Sequence, residues 1–134
     1  MILLIYPVIW CLCSIFLAIW LSTLIAAMLR WRTGSWPPHD RCVMHTILTY
    51  IIAVVLSGAS VATAFALDEV RPVFIILLWI AAGGLLSGVL LVRATMAQYR
   101  RHYVINVAFG MIVHTVASAS VWLLLGAFAG PSLR

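Results

Sequence analysis

Residues 30–42, RWRTGSWPPHDRC, are the first interruption in a chain that is otherwise close to hydrocarbon. They place three arginines, an aspartate, two tryptophans and a Pro-Pro pair between two apolar runs, Ile2 to Leu29 and Val43 to Leu67. The first run carries no charge, and the second holds only His45. A bilayer core about 30 Å thick needs roughly 20 apolar residues of helix, so each run is long enough to cross it. The segment therefore reads as the connection between two membrane spans. Further along, Pro72 to Val92 is uncharged and Tyr103 to Phe128 holds only His114, with DEVR and RATMAQYRRH as the remaining connections. Apolar and polar residues do not alternate, which excludes a membrane β-barrel. The expected fold is all-α: a polytopic membrane protein with four transmembrane helices and no soluble domain. A single four-helix membrane domain then covers 1–134, with spans at approximately 2–29, 43–67, 72–92 and 103–128.

The 134 residues are 66% hydrophobic and 8% charged, with a formal net charge of +5. In a soluble domain that basic excess would point to nucleic acid. Here the arginines lie in short connections, where they act as topology signals and contacts to lipid headgroups. Membrane lipids are thus expected partners and nucleic acid is not. In the first connection Trp31 and Trp36 suit the headgroup level, Pro37 and Pro38 prevent a continuous helix, and Arg30, Arg32 and Arg41 hold the loop in place. In the third connection that work falls to Arg93, Arg100 and Arg101. The three connections carry three, one and three arginines against one, two and no carboxylates. By the positive-inside rule loops 30–42 and 93–102 face the cytoplasm and both termini lie outside. The N-terminal run lacks the basic start and small-residue cleavage site of a secretory signal, so it is expected to stay in the mature protein. Pro7 is expected to mark where its regular helix begins.

Chemistry inside a membrane usually announces itself as ionisable groups within the spans. Asp40, Asp68 and Glu69 all fall in connections, which removes the acid a proton-coupled exporter needs. His114 lies eleven residues past Tyr103, about 16 Å along a helix and so near mid-bilayer. His45 enters from the same side only about one turn in, roughly 12 Å away in height, so the two are poorly placed to share a haem. His39, Cys42, His45 and His102 form a surface-level set with no paired-cysteine motif, a weak basis for metal binding. Cys11 and Cys13 are two apart on a helix and point to opposite sides. They and Cys42 read as small packing residues, not as a disulfide framework. No glycine-rich phosphate loop and no Ser-His-Asp arrangement is present. The chain is expected to have no catalytic residue, no cofactor and no metal, and not to be an enzyme.

Helix packing leaves the clearer pattern. Asn106, Gly110, His114 and Ser118 recur at four-residue intervals, a polar and small stripe that does not face lipid by choice. Gly84 and Gly88 have GxxxG spacing, with Gly83 and Ser87 beside them, so another backbone can approach closely. Thr46, Thr49, Ala53, Ser57, Ser60 and Ala64 form a weakly polar face in the second span. Such faces pack the bundle within one chain, or pack copies together and line an opening between them.

The first connection, followed by TILTYIIAVVLSGASVA and, after the third span, VLLVRATMAQ, resembles the three-span phage holin family. In that family a basic, His-containing loop precedes an aliphatic second span, and an aliphatic run ends in an Arg-Ala-Arg-like tail. The matching positions are Arg30 to Arg41, Tyr50 and Val89 to Ala94, within about the first 100 residues. This chain lacks the dense Arg-Gly signature after the third span and adds a fourth span. The resemblance implies a phage or prophage protein of the bacterial inner membrane that self-associates and permeabilises it for lysis, a homo-oligomer without catalysis. The alternatives are a non-catalytic accessory subunit of a larger membrane complex, or a small transporter or channel.

Overall fold

The computed structural model describes the backbone of residues 2–67 and 71–129. Helix α1 (Ile2–Thr33) is followed by α2 (His39–Ala66) and α3 (Pro72–Leu85). A π-helical segment (Leu86–Leu91) carries α3 into α4 (Val92–Thr95), and a short 3-10 turn (Ala97–Tyr99) leads to α5 (Tyr103–Ala129). Four stretches, Ile5–Thr33, His39–Ala64, Pro72–Thr95 and Tyr103–Leu125, are long and apolar enough to cross a membrane. The protein is an all-α, multi-pass membrane protein.

The break between the first two spans is shorter than its composition implies. Helix α1 runs on through Arg30 and Arg32, and α2 starts at His39, before the expected Val43. Gly34, at φ 76°, ends α1 in the left-handed conformation that glycine adopts without strain, its N–H donating to the Arg30 carbonyl at 2.8 Å. Pro38 then caps α2, where a missing N–H costs nothing. At the other end, Pro7 does not mark the start of α1, because the helix already begins at Ile2. Near a helix end the proline removes a single backbone hydrogen bond, which the chain tolerates. The third span continues to Thr95, so Arg93 is helical. Residues 68–70 of DEVR and the terminal GPSLR lie outside the described residues.

Helices α2 and α5 touch along the middle of the bundle, and α1 and α3 each pack against both of them. Helix α1 is anchored along its second half. Ala18, Leu21, Ser22, Ile25, Ala26 and Leu29 are buried at the spacing of one helical face. From Ile5 to Leu17 no side chain is buried.

Span three solves a problem of period. Gly84, Gly88, Val92 and Met96 are all buried, four residues apart. In a straight α-helix each four-residue step drifts roughly 40°, or about 120° over the three steps. The π segment, where the Val92 N–H reaches the Ser87 carbonyl five residues back, holds more residues per turn and absorbs that drift.

Candidate functional site

The polar residues of the spans converge inside the bundle. At its middle, His114 of α5 is 2% exposed, and its Nε2 lies 3.2 Å from Ser87 Oγ in the π segment. The imidazole rests on the bare backbone of Gly83, where a Cβ would overlap the ring. A Cβ on Gly84 would meet Met111 Cγ at 2.5 Å, and one on Gly110 would meet the Gly84 carbonyl oxygen at 2.9 Å. One turn on, a Cβ on Gly88 would meet Val107 Cα and N at 2.5 Å. Gly84, Gly88, Gly110 and His114 therefore meet within one chain, with α3 and α5 running antiparallel.

The stripe on α5 does not keep a single partner. Its four-residue steps drift, because α5 has no π segment of the kind that absorbs the drift in span three. Ser118 consequently turns toward α2 and lies 2.9 Å from Ser57. The Ser57 hydroxyl already donates to the Ala53 carbonyl at 2.7 Å, which leaves Ser118 as the donor between them. At the opposite end, Asn106 donates from Nδ2 to the Tyr99 carbonyl at 3.0 Å, tying α5 to the preceding turn.

His45 is a correction. It is not an exposed histidine: it is fully buried between the helices, facing Thr95 at the end of the third span. Its Nδ1 lies 2.7 Å from Thr95 Oγ1, and its ring sits 6.2 Å from that of Phe109. The Thr95 hydroxyl donates to the Leu91 carbonyl at 2.9 Å, so a neutral His45 donates from Nδ1 and exposes its Nε2 lone pair to the interior. That Nε2, Thr49 Oγ1 and Asn106 Oδ1 are buried without a hydrogen-bond partner, groups of the kind that an internal water serves. The partners of His45 and His114, Thr95 and Ser87, are eight residues apart on one span, roughly 12 Å in height. The two imidazoles do not converge on a shared ligand.

Tyr50 joins three helices. Its hydroxyl donates to Ser14 Oγ of α1 at 3.2 Å and lies 3.2 Å from Ser120 Oγ of α5. With Thr46, Thr49, Ser57 and Ser60, all buried along α2, these groups make a polar column through the bundle. Sequence reasoning passed over Tyr50 and Thr95 as members of it. Thr95 was hidden in an apparent loop, while Tyr50 carried a signal, a phenol well inside a span that has to find a partner.

The basic residues stay outside. Arg30 stacks over Trp36 at 4.3 Å, while Arg32, Arg41, Arg93, Arg100, Arg101 and Trp31 are exposed. Cys42 is buried, but Cys11 and Cys13 are exposed on the unburied half of α1 and do not act as core packing residues. No group of three or more His, Cys, Asp or Glu side chains is placed to hold a metal ion, among the described residues. Comparison with family models, with curated proteins and with solved structures finds no match to this chain. The likeness to three-span phage holins thus stands on the quoted residues alone.

Proposed function

We propose that this chain is a non-catalytic, holin-like protein that permeabilises the bacterial inner membrane. The observation that carries the reading is the column: His114, Ser87, Asn106, Thr95, His45, Ser57 and Ser118 are buried inside a bundle whose outward residues include numerous exposed Ile, Leu, Val and Phe side chains. An aqueous opening needs polar walls, and an aliphatic surface does not supply them. Parting α3 from α2 and α5 would turn the column toward water and leave the apolar backs of the helices to lipid or to further copies. Because Gly84, Gly88 and Gly110 are engaged within the chain, self-association through them follows this opening and does not precede it. In this reading loops 30–42 and 93–102 are cytoplasmic and both termini lie outside. Induced expression in a bacterium, followed by viability and potassium efflux, tests it. Efflux and loss of viability are expected, and full tolerance of abundant, membrane-inserted protein contradicts it.

One observation favours a second reading, an accessory subunit of a larger complex. Between Ile5 and Leu17 helix α1 buries no side chain, and it borders an apolar groove of about 380 Å³ with Ile47, Tyr50 and Val54. Purification in mild detergent separates the readings. A subunit brings down unrelated membrane chains in fixed ratio, whereas a permeabiliser brings down copies of itself.

A further inference from the structure

The turn between the third and fourth spans forms a cavity of about 340 Å³ lined by Val89, Arg93, Arg100 and Tyr103, within the range of about 300–1,000 Å³ common to ligand pockets. Its parts come from four consecutive elements. Val89 belongs to the π segment and lies four residues before Arg93 of α4, roughly one turn deeper in the membrane. Arg100 ends the 3-10 turn, and Tyr103 is the first residue of α5. The cavity lining thus combines one aliphatic side chain, two arginines and a tyrosine.

Among the described residues no carboxylate pairs with those two charges. Asp40 is the one carboxylate among the described residues, and no ion pair forms among them. Arg30 offers a contrast, because its guanidinium is already engaged on the Trp36 ring. Two cations held at one cavity repel each other until an anion lies between them. A guanidinium fork matches phosphate oxygens, and the unpaired N–H groups in the first turn of α5 favour negative charge at the same place. The aliphatic side chain selects among phosphates, since a free ion gains nothing from Val89 while a lipid places its first acyl carbons there.

We infer that Arg93, Arg100 and Tyr103 form a binding site for the phosphate of an anionic phospholipid, with Val89 against the start of its acyl chains. The site is independent of whether the protein permeabilises membranes. A basic residue near an anionic membrane surface is worth about 1 kcal/mol, or roughly 5-fold in affinity, so losing both arginines weakens binding roughly 30-fold.

Native mass spectrometry of the detergent-solubilised full chain, titrated with phosphatidylglycerol or phosphatidylcholine, tests the site. The wild-type chain is expected to retain phosphatidylglycerol in preference to phosphatidylcholine. The double variant R93Q/R100Q should lose that preference, while R30Q/R32Q, with the same change in net charge, should keep it. R93K/R100K, which preserves charge without the planar fork, is expected to fall between them. All these side chains are exposed, and unchanged helicity by circular dichroism confirms that each variant folds. Undiminished selectivity in R93Q/R100Q, or equal loss in both glutamine pairs, overturns the site. Displacement of the lipid by excess inorganic phosphate as readily as by competing phosphatidylglycerol overturns the lipid assignment.

Discussion

At Gly88 an added methyl group meets backbone, whereas at Gly84 it first meets the flexible side chain of Met111. The two halves of one GxxxG pair are therefore unequal. Gly88→Ala forces the π segment and α5 apart and is expected to cost about 1–3 kcal/mol, and Gly84→Ala less. Gly58, with open space around it, is the control, and Gly58→Ala should be neutral or slightly stabilising in α2. Thermal unfolding in detergent ranks the three, and equal tolerance at positions 88 and 58 contradicts the packing. The His114 and Ser87 pair is testable in the same assay. A double-mutant cycle with His114→Ala and Ser87→Ala should give a coupling of about 0.6 kcal/mol, as interhelical polar pairs do on average. Additive losses would show that the two side chains do not interact.

At the scale of elements, α1 is the helix with least holding it. Its buried face stops at Ala18, and beyond that the Tyr50 hydroxyl is one polar link to α2 and α5. Tyr50→Phe keeps the ring and removes the link. Hydrogen exchange should then quicken in residues 5–17 more than in α5, and a uniform response across the bundle contradicts that role. Existence and type of the four long helices were legible because uninterrupted apolar runs in a membrane have few alternatives. Their ends were not. Arg30, Arg32 and Thr33 are charged or polar yet helical, since a helix carries its last turn out into the headgroup layer, where arginine side chains remain solvated. The π segment left a trace in the four-residue spacing of Gly84, Gly88, Val92 and Met96, but spacing alone does not separate a wider turn from a drifting face, as the same spacing on α5 demonstrates.

For the molecule as a whole, the stripe from Asn106 to Ser118 and the Gly84/Gly88 pair were visible in the sequence, but whether they pack within a chain or between chains was not. Small and polar residues are selected by close approach of any helix, and composition does not record whose helix it is. The structure uses them internally, so under the proposed permeabilisation the question is how the bundle would open and not how copies touch. Orientation is a separate prediction at this scale. After replacement of Cys11, Cys13 and Cys42, single cysteines placed at Ser35 and at Gln98 should both react with an impermeant thiol reagent from the cytoplasmic side alone. Labelling of the two from opposite sides would contradict the four-span topology, and labelling of both from outside would invert it.

The most direct measurement of the central claim uses purified protein reconstituted into vesicles loaded with a small fluorescent dye. If the buried column becomes the wall of an opening, dye escapes, and release rises more steeply than in proportion to the protein-to-lipid ratio. Vesicles that stay sealed at high ratios, with the protein inserted and helical, would contradict permeabilisation.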